Sequence, residues 1–236
     1  MPLSNEDIAR FLRSFASVGE AFYFFGKSTL PEVEAYVAGL SAAPVLRTPP
    51  NTTILVFDTE TTGLKPAIVC QLAYLVVERG IVTEYEQLLR LPRNVRIEAG
   101  AQRVHGISTH ACAARGVDAG EALRAFARAC ERVLASNGRV VAHNADFDVR
   151  AIRETHIAHG LVASSLERER VFCTMKASKP HSPLLNKAGR AKAFKNEELY
   201  AHLFGSPPTW AKLHDALDDV RVTAHNYAGG LAEGWW

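Results

Sequence analysis

From position 52 onward, apolar residues gather in short dense runs, and each run predicts an element. TTILVFD, residues 52–58, is rich in strand formers and predicts a first strand. Residues 68–80, IVCQLAYLVVERG, predict a second strand ended by Gly80, and residues 81–89 a third that follows at once. Then the period changes. Across residues 118–136, Leu123, Phe126, Ala127, Cys130, Val133 and Leu134 fall on one stripe of a helix, capped by Asp118 and stopped by Asn137-Gly138. RVVAH, 139–143, predicts a fourth strand and 147–156 a helix that ends near Gly160. VFC, 171–173, predicts a fifth strand, 196–204 a short helix closed by Gly205, and 215–227 a last helix. Three strands in close succession, then strands alternating with helices, predict an α/β fold with a mixed sheet covered by helices.

Residues 1–50 read differently. Ile8, Phe11, Leu12, Phe15, Phe22 and Phe25 recur at near-helical spacing across 4–25, behind Ser4 as a cap and Glu6 and Asp7 in the first turn. A second short helix starts at Pro31, and RTPPN, 47–51, breaks the pattern. The division expected is a helical N-terminal extension, 1–50, and a main domain, 51–236. The apolar stripe of the extension needs cover, by docking on the same chain or by a protein partner. GKST, 26–29, resembles the end of a phosphate-binding loop, but Ala21 stands where that motif needs glycine, so a helix end or turn is the better reading.

Composition narrows the function classes. With 236 residues, 47% of them hydrophobic, the chain can bury one sizeable core. Its net charge of +2 is only a weak pointer to polyanionic partners. Cys70, Cys112, Cys130 and Cys173 form no C-x-x-C pair, so neither a zinc site nor a disulfide framework is expected, and reduced thiols point to an intracellular, cytoplasmic protein. No stretch reaches the roughly 20 apolar residues of a membrane span, so no membrane association is expected.

The candidate chemistry lies in carboxylates placed where strands end. In ILVFDTETTGL, Asp58 and Glu60 are two residues apart on a strand and share a face. Two anions so close raise each other's pKa unless a cation lies between them. On this stretch alone, a polar turn and half of a metal site fit equally well. In VVAHNADFDVR, Asp146 and Asp148 follow a strand where a helix begins, and a single N-cap cannot use both. In LHDALDDVRVTAHNY, Asp215 is the natural N-cap. Asp219 has no capping role there and adjoins the apolar stripe Ala216-Val220-Ala224-Tyr227, where a carboxylate is costly unless paired or metal-bound.

Together FDTETTGL, HNADFD and HDALDD resemble the three motifs of the DEDDh, or DnaQ-like, family of 3′–5′ exonucleases, in that family's order. RVHGIS, 103–108, is similar to a segment of the proofreading epsilon subunits of bacterial DNA polymerases. The resemblance covers roughly residues 52–230 and implies a ribonuclease H-like fold, a central mixed sheet with flanking helices. Carried over by position, it makes Asp58, Glu60, Asp148 and Asp219 the metal ligands and His214 the general base. The cofactor expected is two Mg²⁺, with Mn²⁺ able to substitute, because hard oxygen ligands suit these ions. Asp58 is expected to bridge the ions, Glu60 and Asp219 to complete the shell beside the attacking water, and Asp148 to serve the second ion. Asp146, Asp215 and Asp218 fall on variable motif positions. Thr61, Thr62, Gly63 and Leu64 are expected to hold the terminal 3′ nucleotide, with Leu64 against its base, and His105 and Asn144 to line the substrate path; a plain turn is the competing reading.

The activity implied is metal-dependent hydrolysis of single-stranded 3′ ends, DNA before RNA, with release of nucleoside 5′-monophosphates. An exoribonuclease is the first alternative. A catalytically silent nucleic-acid-binding or scaffold module is the second, and the intact motif residues speak against it. Residues 176–195 carry six basic residues and no acid, with Pro180, Pro183 and Gly189 marking a loop. Beside an active site such a loop would contact phosphates; otherwise it is a solvated, mobile segment.

Overall fold

A computed structural model of the chain describes residue 46 and residues 53–162 and 166–236. The helices expected within 4–50 and the extension they would form lie outside the described residues. Five strands make one sheet in the order β3-β2-β1-β4-β5. They are β1 (Ile54–Thr61), β2 (Val69–Glu78), β3 (Ile81–Leu88), β4 (Arg139–Ala142) and β5 (Val171–Cys173). β1, β2 and β3 are antiparallel neighbours, whereas β4 pairs parallel to both β1 and β5. The sheet is therefore mixed, as the strand spacing predicts. Arg79 and Gly80, with φ of 53° and 78°, make the two-residue turn between β2 and β3.

β1 runs three residues past its predicted end, because β2 keeps pairing with it through Glu60 opposite Gln71. Both acids of the first motif thus lie within the strand. The register then slips between Glu60 and Thr61. Period two sorts the strand's residues. Leu55 and Phe57 face a core shared with Leu123 and Phe126 of α3 (Ala119–Ala135). Ile54 and Val56 face a second core with Ala216, Val220, Ala224 and Tyr227 of α7 (Ala216–Ala232). That is the stripe expected of the last helix, which continues past its predicted end at 227. Asp58 and Glu60 continue the α7-facing row into the polar end of the sheet.

The remaining helices are α1 (Ala99–His105), α2 (Thr109–Arg115), α4 (Ala145–Ala158), α5 (Thr174–Ser178) and α6 (Asn196–Phe204). α4 starts two residues earlier than predicted, with Asn144 at its N-cap. Pattern alone predicts none of α1, α2 and α5, which span 7, 7 and 5 residues. Segments so short cannot display an apolar stripe and are held by tertiary contacts. The side chain of Ser108 caps α2 by accepting from Ala111 N–H at 3.0 Å. The basic stretch is not wholly loop, because Lys176 sits on α5. All four cysteines are buried and unpaired as disulfides. Among the described residues, no helix is long and apolar enough to cross a membrane.

Candidate active site

Three elements converge on one pole of the sheet. β1 brings Asp58 and Glu60, α4 brings Asp148, and the first turn of α7 brings Asp219. Carboxylate oxygens of Asp58, Glu60 and Asp219 all lie within 4.8 Å of one another. Asp148 is 2% exposed. Its Oδ1 accepts from the Thr59 hydroxyl at 2.8 Å, while its buried Oδ2 has no hydrogen-bond partner. Each of these carboxyls is displaced upward. Burial, then the charges of Asp148, Asp219 and Glu60, hold Asp58 well above the ordinary carboxylate range. Burial, then the charges of Asp219, Asp148 and Asp215, push Glu60 up to about 8. Burial lifts Asp148 to about 7 against the pull of Thr59, and Asp219 to about 6 against the His214 backbone N–H. Four acids in mutual repulsion, one with an orphaned buried oxygen, fit a divalent cation held by oxygen donors.

The displaced acids give a first prediction. Their pKa values are higher in the folded chain than in the unfolded one, so folding binds protons. The stability this confers is complete below the unfolded carboxylate pKa, near 4. It is lost as pH rises through about 6, 7 and 8. Metal-free protein in a chelator should therefore melt at falling temperature from pH 5 to pH 8.5, and added Mg²⁺ or Mn²⁺ should restore most of the loss. Scanning calorimetry checks this; a melting temperature that does not fall with pH refutes it.

His214 precedes α7 and is exposed, with φ of 64°, a left-handed conformation unusual for a residue with a side chain. Its backbone N–H donates to Asp219 Oδ2 at 2.9 Å, which keeps it beside the acids. The cap reading of Asp215 needs correction. Asp215 occupies the N-cap position but makes no side-chain cap bond. Asp218 and Asp219, one turn on, reach back instead to the N–H groups of Lys212 and His214.

A cleft of about 340 Å³ opens beside Glu60, lined also by Gly63, Leu64, Val104, His105 and Phe147. Leu64 and Val104 are 69% and 55% exposed and form an apolar rim. His105 accepts at Nδ1 from Ile107 N–H at 3.0 Å, so its Nε2 carries the proton and donates to the Thr61 carbonyl at 3.2 Å. Burial lowers its pKa. The Thr61 hydroxyl donates to the Gly63 carbonyl, and the Thr62 hydroxyl accepts from Ile68 N–H. These two side chains thus shape the loop. The Glu98 carboxylate lies against Gly63 where any Cβ would collide, which gives that glycine a packing reason beside the expected one. Glu98, Val104 and Phe147 escape the sequence reading of the site, although Val104 lies inside RVHGIS and Phe147 inside HNADFD. Asn144 is exposed at the start of α4, with no cap bond from its side chain.

Two neighbours have structural work. Asp146 is paired with Arg168 and Lys176, which hold its carboxyl below the usual range. His143 is 7% exposed and joins two segments. Its Nε2 meets the Phe194 carbonyl at 3.0 Å and its Nδ1 the Thr174 hydroxyl at 2.9 Å. Since a carbonyl only accepts, Nε2 donates and Nδ1 accepts. Burial pulls the imidazole down to about 4, so it stays neutral.

The family model described as Exonuclease, RNase T type, matches residues 55–227. Among solved structures, the chain is 23% identical to exonuclease X in complex with 5′-overhanging duplex DNA, with a TM-score of 0.53 over 78% of this chain and 94% of that one. It is 19% identical to an exonuclease I from Methylocaldum szegediense, with a TM-score of 0.60 over 77% of this chain and 40% of that one. It is 17% identical to E. coli exonuclease I in complex with a dA13 oligonucleotide, with a TM-score of 0.57 over 77% and 40%. The chain thus spans nearly all of the first relative and about two-fifths of the other two. At these identities the likeness concerns the fold. No curated protein matches the chain.

Proposed function

The chain belongs to the RNase T family of exonucleases, and from that premise we propose that it removes nucleoside 5′-monophosphates from the 3′ ends of single-stranded DNA. The observation that carries this reading is the meeting of Asp58, Glu60 and Asp219 within 4.8 Å, beside the orphaned oxygen of Asp148. When bound, a pair of divalent ions, Mg²⁺ or Mn²⁺, supplies Lewis-acid stabilisation of the charge on the attacking and leaving oxygens. Asp58, Glu60 and Asp219 hold these ions from β1 and α7. Asp148, one oxygen fixed by Thr59 and the other without a partner, would complete the set that holds them. His214 accepts the proton of the attacking water, and its exposure at the mouth of the site lets it pass that proton to solvent. The cleft at Gly63, Leu64 and His105 seats the terminal nucleotide, with the apolar rim of Leu64 and Val104 against its base.

DNA is placed before RNA because RVHGIS resembles the proofreading branch and because solved relatives were captured with DNA. Matched 5′-labelled DNA and RNA oligomers with Mg²⁺ provide the test. The expected result is a ladder shortening from the 3′ end, with DNA cleaved faster. Faster cleavage of RNA would reassign the substrate, and no cleavage of either would remove the reading.

A further inference from the structure

Residues 174–196 leave the site and return to it. The outgoing end is tied by Thr174 to His143, and the returning end by the Phe194 carbonyl to the same imidazole. Just beyond, Asn196 Nδ2 donates to the backbone carbonyl of Asp219 at 3.0 Å. Between these anchors the chain folds into a small hairpin. Lys192 N–H donates to Leu184 O and Asn186 N–H to Arg190 O, both at 2.8 Å, around an isolated bridge between Leu185 and Ala191. The Asn186 side chain closes the tip by accepting from Ala188 and Arg190 N–H at 2.9 and 3.0 Å, and Gly189 takes φ of 71°. This is a built finger rather than a slack loop.

Its charges divide into two sets. Lys176, Lys192 and Lys195 are paired with Asp146, Glu198 and Glu197. Lys179, Lys187 and Arg190 have no ion pair among the described residues; Lys187 and Arg190 are exposed at the tip, with Leu185 beside them 65% exposed. The flank toward the sheet edge is acidic. There Glu84 and Asp218 both pair with Arg221, and Glu86 and Asp215 stand nearby. A polyanion is repelled by that acidic cluster and attracted by the unpaired cations of the hairpin.

We propose that the 184–192 hairpin is a second nucleic-acid contact, in which Lys187 and Arg190 hold backbone phosphates of the single strand several nucleotides before its 3′ end. This rests on the exonuclease reading for its purpose but not for its test. The test compares wild type with the double variant K187A/R190A, and with K192A, whose lysine is already paired. Binding of a fluorescent 30-nucleotide single strand and a tetranucleotide is measured in EDTA, where no hydrolysis occurs, across a salt series. The double variant should bind the long strand about tenfold more weakly and lose about 1.4 from its salt slope, 0.7 for each phosphate contact on single strands. The tetranucleotide should be affected less than twofold, and K192A should match wild type on the long strand. With Mg²⁺, KM for the long strand should rise while kcat is unchanged. Equal losses on long and short strands, or none on either at an unchanged melting temperature, would overturn the proposal. A wild type that binds long strands through these residues yet hydrolyses nothing would sink the catalytic reading and leave the contact standing.

Discussion

Asp58→Ala is expected to remove hydrolysis almost completely, by about 10³-fold or more, while the fold persists. Asp58 stands among the charges of Asp148, Asp219 and Glu60 and shares one ligand cluster with Glu60 and Asp219. Its loss removes the acid on which the site centres. The same change takes a repelled, poorly hydrated carboxylate out of the metal-free protein. The variant should therefore melt at a higher temperature than wild type in chelator at pH 8, and gain less from added Mn²⁺. Activity and stability move in opposite directions, which separates loss of a ligand from loss of the fold. Turnover near wild type with saturating Mg²⁺ would show that Asp58 is not a metal ligand.

His214→Ala is expected to lose about 10²–10⁴-fold in turnover, the usual weight of a general base, with metal binding retained because all four acids remain. Without the imidazole no side chain at this position can take the water's proton, so the loss should fall on kcat rather than on KM. The left-handed backbone at this position complicates alanine. His214→Asn is the cleaner comparison, because asparagine tolerates that conformation and cannot serve as the base. His214→Tyr should not rescue activity, since the ring would project from a backbone site suited to imidazole. Near-normal turnover in the asparagine variant would leave His214 a purely structural part in setting Asp219.

The acids were legible in the sequence because each sits where local rules give it no ordinary task. Asp58 and Glu60 repeat on one strand face, Asp148 cannot share the cap of its helix, and Asp219 adjoins a buried stripe. The sheet was legible for a similar reason, since dense apolar runs of strand length have few other outcomes. What escaped depends on contacts between distant residues. Ile97 N–H, just before α1, donates to the Thr109 hydroxyl of α2 at 2.9 Å, and His105 ties α1 to Thr61 of β1, and no periodicity records either bond. The cap of α7 was misread because two later carboxylates satisfy the preceding N–H groups. The finger was hidden because a single asparagine side chain builds its turn, and its lysines look alike until their partners are seen.

Thr59 and Asp148 are joined by one hydrogen bond across 89 positions of sequence. The parallel neighbours β1 and β4 are separated by the whole of β2, β3, α1, α2 and α3. Contacts that close so long a loop lose chain entropy before they return any enthalpy, and they form late in folding. The β2–β3 hairpin and α3 need only nearby residues and can form first. On this topology a refolding chain regains most of its secondary structure before its activity. The last step brings three mutually repelling segments together, so divalent ions should hasten recovery as well as restore stability.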